Sequence, residues 1–135
     1  MKAFTSLQQS KKLAEILPLE SADMSYSFDF NSETYESSTV SYKDWIVPKY
    51  AQPTDGFGQV IPCWSLAALL DVLESEINSE DGETYQLNIE KDGTWWYIEY
   101  IERYNGANII ETKSTEELID VCYEMILKLN ELKML

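Results

Sequence analysis

The chain of 135 residues contains no histidine and only two cysteines. Without histidine, the Ser-His-Asp and Cys-His arrangements of nucleophilic catalysis are impossible. Two isolated cysteines also leave too few ligands for a zinc site and too few thiols for a disulfide scaffold. The sequence therefore predicts reduced, buried thiols, no metal and no enzymatic activity.

Glycine and long apolar runs are scarce as well. The five glycines are not clustered into a loop that could cradle a phosphate, so no nucleotide cofactor is expected. No stretch approaches the roughly 20 apolar residues of a membrane span. The N-terminal stretch MKAFTSLQQSKKLAEIL lacks the apolar core of a signal peptide. These absences predict a cytoplasmic protein without cofactors and without a membrane partner.

Negative charge is present in excess, with 24 acidic residues against 10 basic ones and a net charge of −14. Between Asp71 and Glu124 there are 15 acidic residues and three basic ones. Phosphate contacts need clustered lysine and arginine, so direct binding to nucleic acid is excluded. The charge has two interpretations, a solvated surface that maintains solubility or a face that attracts a basic partner.

Cys63 stands where a helix is expected to begin, between Pro62 and Trp64. A helix N-terminus can lower the pKa of a thiol, but catalysis also needs a base to take the proton. No histidine is present for that role. We therefore interpret Cys63 as part of the helix start, with Ser65 as a possible N-cap, and not as a nucleophile.

Three segments have the apolar spacing of helices. The first runs from about Ser6 to Leu17, with Thr5 or Ser6 as the cap and Gln8 or Gln9 completing it. The second follows Pro62 and has an apolar stripe that extends to Ile77. The third begins at a capping box of Ser114 and Glu117. Its core-facing stripe consists of Leu118, Val121, Cys122, Met125, Ile126, Leu129 and Leu132.

The stretch TYQLNIEKDGTWWYIEYIERYNGANIIET predicts three strands joined by Asp-Gly and Asn-Gly turns. With Asp92-Gly93 as a two-residue turn, Ile89 faces Trp96 and Leu87 faces Ile98. One face of the sheet then holds the apolar set Tyr85, Leu87, Ile89, Trp96, Ile98 and Tyr100. The opposite face holds Gln86, Asn88, Glu90, Trp95, Tyr97, Glu99 and Ile101.

Residues 19–59 have a weaker pattern, with tyrosine, phenylalanine and tryptophan among serine, threonine and acidic residues. The alternations YSFDF and TVSY hint at short strands. We predict that 19–59 is an irregular aromatic arm packed on the body of a single domain, 1–135. The predicted fold class is α+β, with a small antiparallel β-meander of three or more strands packed in two layers against two to three helices.

The residues Trp95 and Tyr97 are the main candidates for a functional surface. If Trp96 lies in the core, its two neighbours point to the other face of the sheet. Either the arm covers them, or they form an exposed aromatic patch with Glu99 and Trp45 that suits a protein interface.

The stretches LPLESADM, IPCWSLAALLDVL and ETKSTEELIDVCYEMILKLNEL resemble an uncharacterised family of small acidic proteins from gut bacteria and their prophages or mobile elements. The resemblance covers most of the chain. It implies a phage or mobile-element context and an accessory role in protein–protein contacts, and it implies no particular active residue.

The sequence thus favours a non-enzymatic, intracellular protein-binding accessory protein whose partner is an unidentified protein, with a basic protein as the candidate. The alternative is an acidic decoy that mimics DNA and inhibits a basic nucleic-acid-binding protein. In that case binding would compete with DNA and weaken steeply with salt. An enzyme that works through carboxylates alone would need a deep pocket, which the sequence does not reveal.

Overall fold

The computed structural model describes residues 1–29, 31–41, 60–104, 106 and 108–135. The described chain has an α+β fold, as the sequence predicts. Its helices are α1 (Leu7–Ala14), α2 (Leu66–Val72) and α3 (Leu118–Glu131), with a short 3-10 helix at Leu19–Ser21. The strands are β1 (Met24–Asp29), β2 (Thr34–Ser38), β3 (Val60–Cys63), β4 (Glu76–Asn78), β5 (Thr84–Asp92), β6 (Trp95–Glu102) and β7 (Ile109–Glu111). None of the helices in the described ranges is long and apolar enough to cross a membrane.

The contacts within the chain define two compact units. One consists of Ala3–Ala68, and the other of Leu69–Leu135 together with Met1–Lys2. Each unit contains one antiparallel sheet, of three strands in the first and four in the second. That the whole chain 1–135 behaves as a single domain remains a prediction.

In the first unit the sheet has the strand order β2-β1-β3. Tyr26 pairs with Ile61, and Phe28 pairs with Tyr35. The segment predicted to be an irregular arm therefore forms regular strands where the structure describes it. The alternation in YSFDF explains this, because it places Tyr26 in the apolar cluster with Ile61 and Cys63. The strand expected at TVSY lies earlier in the chain, at β2.

Helix α1 begins with the expected cap. The Ser6 hydroxyl accepts a hydrogen bond from the backbone N–H of Gln9, and the Gln9 side chain accepts one from the backbone of Ser6. This reciprocal pair satisfies two N–H groups that the first turn would leave unbonded. The helix ends at Ala14, earlier than the predicted Leu17.

Cys63 is the last residue of β3 and lies three positions before α2. The start of α2 is capped by Ser65, whose hydroxyl accepts a hydrogen bond from the backbone N–H of Ala68 at 3.2 Å. The predicted cap is thus confirmed, whereas the predicted extension of the helix stripe to Ile77 is wrong. Ile77 lies in β4, where it pairs with Tyr85.

In the second unit the sheet is a meander with the order β4-β5-β6-β7. The predicted hairpin exists, but its register differs from the prediction by two residues. Ile89 faces Ile98, and the turn is Gly93-Thr94 because Asp92 pairs with Trp95. Gly93 has φ +61°, and Thr94 does not have a positive φ. This is the pattern of a type II′ turn, which favours glycine at its first central position.

The two faces of this sheet are as predicted. Ile98 and Tyr100 are buried, and the Tyr100 hydroxyl donates a hydrogen bond to the backbone oxygen of Glu74 at 2.7 Å. Helix α3 contacts β6. The buried residues of α3 are Leu118, Ile119, Val121, Cys122, Met125, Ile126 and Leu129. We call the packed side of this sheet its inner face.

Both ends of α3 depart from the prediction. The helix begins after Glu117, which makes no side-chain cap, so the predicted box of Ser114 and Glu117 is absent. The reason is that the backbone of Thr115 pairs with Trp96 instead of entering the helix. Leu132, predicted to lie in the core, is 45% exposed; it is the C-cap that follows the last residue of the helix, Glu131.

Candidate protein-interaction face

The candidate site is the face of the four-stranded sheet opposite α3, which we call the outer face. Directly opposed residues of antiparallel strands point to the same side. The pairing therefore arranges the outer face in rows. Asp92 lies beside Trp95, and Glu90 lies beside Tyr97. The next two rows are Asn88–Glu99–Glu111 and Glu76–Gln86–Ile101–Ile109.

Trp95 and Tyr97 retain 47% and 41% of their surface exposed. Both side chains are thus exposed among the residues that the structure describes, and the choice between an exposed patch and one covered by the 19–59 arm stays a prediction. They are neighbours on one strand face, two positions apart, and Trp96 between them points to the inner face. The fourth candidate, Trp45, lies outside the described residues.

Glu99 follows Tyr97 on the same face. It is half-buried, and its Oε1 accepts a hydrogen bond from Asn88 Nδ2 at 3.0 Å. The structure thus places Trp95, Tyr97 and Glu99 together, as predicted. Their role as a binding surface stays a prediction.

The sequence analysis missed Glu111, which lies directly opposite Glu99. The backbone N–H of Glu102 bonds the oxygen of Asn108 at 3.0 Å, so that pair is a hydrogen-bonded one. Because bonded and non-bonded pairs alternate along an antiparallel ladder, Glu99 and Glu111 form a non-bonded pair. In such pairs the Cα atoms are about 4.5 Å apart and the side chains are close. Two carboxylates therefore face each other on the outer face, between β6 and the edge strand β7.

The strands place no lysine or arginine in these four rows of the described sheet. Arg103, the first residue after β6, is engaged by Glu76 through Nη1 and Oε1. The ammonium of Lys91 lies over the ring of Trp96, 5.2 Å from its centroid, on the inner side. These four rows of the outer face therefore contain acidic residues and no lysine or arginine, although Lys113 and Lys128 lie beside Glu111 at the edge formed by β7.

An open groove of about 790 Å³ lies beside β7, between residues 111–115 and α3. It is lined by Glu111, Thr112, Lys113, Thr115, Glu124, Leu127, Lys128 and Glu131. Lys128 Nζ donates a hydrogen bond to the backbone oxygen of Glu111 at 2.8 Å, and Thr112 Oγ1 is buried without a hydrogen bond. The lining mixes both charge signs, so it defines no ligand class.

The two thiols are poor candidates for chemistry. Cys63 and Cys122 are both free and fully buried. Burial raises the pKa of Cys63, and it raises the pKa of Cys122 to about 12. A thiol with a raised pKa carries little thiolate, which is the reactive form. The interpretation of Cys63 as part of the helix start is wrong, because Cys63 ends β3 and Ser65 caps α2; Cys63 is instead a buried residue of the core.

Metal binding is also poorly supported. Within the described ranges, no three side chains of the histidine, cysteine, aspartate and glutamate types come together in a way that could hold a metal ion.

Comparisons with protein-family models, with curated proteins and with solved structures find no match for this chain. The outer face is thus characterised by its own geometry alone.

Proposed function

We propose that this protein is a non-enzymatic protein-binding module and that the outer face is its contact surface. The observation that carries the proposal is the exposure of Trp95 and Tyr97 side by side on a regular sheet. The inner face already packs on α3, so these two aromatic side chains are not needed for that core. Aromatic residues are enriched at protein interfaces, where they provide much of the binding energy.

The acidic residues around the two rings suit a basic partner. Glu90, Asp92 and Glu99 neighbour the aromatic pair in the sheet, and the whole chain has a net charge of −14. Complementary charge accelerates the encounter with a partner and disfavours partners of the wrong sign. We therefore propose a basic protein as the partner.

The cellular setting is part of the same proposal. Two buried, unpaired thiols are typical of a reducing compartment and support a cytoplasmic location. The proposed origin in a phage or mobile element, with an accessory role there, rests on the sequence resemblance described above. The non-enzymatic character is supported by the absence of histidine and by the buried state of Cys63.

The test is an affinity capture from host lysate at about 0.1 M and about 0.5 M salt, which differ strongly in charge screening. The bait is the full chain or its Trp95→Ala/Tyr97→Ala variant. Partners that bind the full chain and are lost with the variant support the proposal. The Tyr104→Ala variant is the control, because Tyr104 is 84% exposed but lies in the turn after β6 and outside the four rows.

Three outcomes are informative. Equal capture by the full chain and the Trp95→Ala/Tyr97→Ala variant would contradict the outer face as the contact surface. A nucleic-acid-binding partner that DNA displaces and high salt releases would support the DNA-mimic alternative instead. Capture of no partner at either salt concentration would contradict both.

A further inference from the structure

The outer face contains two directly opposed carboxylates that form no ion pair within the described ranges; Lys128 Nζ approaches Glu111 but bonds its backbone oxygen at 2.8 Å. Glu99 and Glu111 are directly opposed in a non-bonded pair. Like charges in this position destabilise a sheet. The ion pairs found in the described ranges are Lys2–Asp120, Lys12–Glu15 and Arg103–Glu76, and none of them includes either carboxylate.

An aromatic ring lies next to this pair. Tyr97 precedes Glu99 by two positions on the same face of β6, which is a separation of about 6.6 Å along a strand. A cation held between the two carboxylates would then lie one row from Tyr97, close to the range of about 6 Å at which a cation interacts with the face of an aromatic ring. Tyr97 is 41% exposed and so is accessible from solvent.

Guanidinium fits this arrangement better than ammonium. It is planar, bonds carboxylates through several N–H groups at once and stacks on aromatic rings. One guanidinium can bond both Glu99 and Glu111 while its plane lies against Tyr97. A second basic side chain could bind Glu90, beside Tyr97 and one row away, or Asp92, beside Trp95 and two rows away.

We propose that the outer face binds an arginine-containing basic protein segment, with one guanidinium held between Glu99 and Glu111 and against Tyr97. This inference rests on the proposed function and specifies the chemistry of the partner. The carboxylate pair that destabilises the free sheet is, in the complex, the element that selects arginine.

Other occupants fit less well. A metal ion would need more oxygen ligands than two carboxylates supply, and the described residues contain no group of three suitable side chains. A second copy of the chain would bring the same acidic rows against each other. Nucleic acid and anionic lipid would be repelled by the same carboxylates.

The experiment measures binding of a short fluorescent peptide of alternating arginine and threonine to the full chain by fluorescence polarisation. The control peptide has citrulline, the neutral isostere of arginine, at every arginine position. We expect binding of the arginine peptide only. Glu99→Gln and Glu111→Gln should each weaken that binding about tenfold, the range for loss of one hydrogen bond to a charged group.

The matched control variant is Glu36→Gln. Glu36 is exposed on β2 and lies opposite Ser27, so it loses the same charge without a facing carboxylate. Its affinity for the peptide should equal that of the unchanged chain. Because Glu111→Gln removes a repulsion, it should fold at least as stably as the unchanged chain, and circular dichroism verifies this before the binding comparison.

Four results would overturn the proposal. The first is equal binding of the arginine and citrulline peptides, and the second is equal weakening of binding by Glu36→Gln and Glu111→Gln. The third is displacement of the arginine peptide by spermidine at a concentration equal to that of the peptide. The fourth is self-association of the chain through the outer face, measured by sedimentation. If any of them occurs while captured partners still depend on Trp95 and Tyr97, the proposed function stands and only the arginine site fails. If the captured partners do not depend on the two rings either, both proposals fail.

Discussion

Replacing Glu111 by glutamine should stabilise the free protein. The substitution preserves the size and shape of the side chain and removes one of two facing charges on the outer face. The amide introduced at this position can also donate a hydrogen bond to the carboxylate of Glu99, which Glu111 cannot do while it is ionised. A surface glutamate whose removal improves stability is unusual, and it follows here from the strand register alone.

The expected gain is about 0.5 kcal/mol. Two carboxylates about 6 Å apart repel by about 0.7 kcal/mol in a medium with the dielectric constant of water. Salt at about 0.15 M roughly halves this energy, while partial burial of Glu99 increases it. The result lies within the range of about 0.2–1 kcal/mol for cross-strand pairs. For a chain of this size it corresponds to a rise in Tm of about 2 °C.

Thermal and urea unfolding of the full chain, Glu111→Gln and Glu36→Gln measure the effect. Both variants lose one negative charge, so any general benefit of reducing the net charge of −14 is common to them. The difference between the variants should shrink at about 0.5 M salt, where the Debye length is only a few ångströms. An equal change in Tm for Glu111→Gln and Glu36→Gln at low salt would refute the repulsion between Glu99 and Glu111.

Further predictions concern backbone conformation and ionisation. Lys133→Gly should stabilise the chain by about 0.5–1 kcal/mol in urea unfolding, because φ +58° at the end of α3 suits glycine. Gly93→Ala should cost about 1 kcal/mol in the same assay, although an added Cβ has open space, because φ +61° strains alanine. Cys122 should react with a thiol reagent in urea but not in the native state, and reaction at equal rates in both would contradict its burial. Its pKa is raised from 9.0 to about 12, so the native state holds this proton more tightly than the unfolded chain. Its contribution to stability is complete below about pH 9 and is lost towards about pH 12, at up to about 1.4 kcal/mol per pH unit. Urea unfolding measured across that range checks the slope, which should decrease in Cys122→Ala.

The inner and outer faces of the hairpin were predictable, but the register was not. Side chains alternate with a period of two, so a shift of two residues leaves every side chain on its predicted face. Ile89 therefore lies on the inner face whether it pairs with Trp96, as predicted, or with Ile98, as observed. The information that distinguishes the two registers is the turn geometry, and a glycine at the first central position of a type II′ turn selects the observed one.

The candidate site was predictable only in part. Adjacent positions on a strand assign Trp95 and Tyr97 to the face opposite Trp96, and this required no structure. The pairing of Glu99 with Glu111 depends on how β7 aligns with β6, and β7 has only three residues, too few to set a register from an apolar pattern. The exposure of the two rings depends on which other parts of the chain pack against the outer face. A local pattern of residues carries no information about such long-range packing.

The box of Ser114 and Glu117 illustrates another limit. The residue types fit a helix start, but Thr115 bonds the backbone of Trp96 and withdraws this segment from the helix. A long-range backbone hydrogen bond therefore overrides a local capping preference. At Ser6 the long-range pairing ends one residue before the cap, where the backbone N–H of Thr5 bonds the oxygen of Trp64, and the local preference determines the start of α1.

The positions of the tryptophans have a practical consequence. Trp64 is fully buried in the unit Ala3–Ala68, where its indole N–H donates to the Ser21 hydroxyl at 2.9 Å. Trp95 is half exposed in the unit that begins at Leu69. Indole fluorescence shifts to longer wavelength in contact with water, so the two side chains should emit at different wavelengths in the native state. With Trp45 and Trp96 replaced by phenylalanine, the chain would have one optical reporter in each unit, and loss of structure in either could be followed separately.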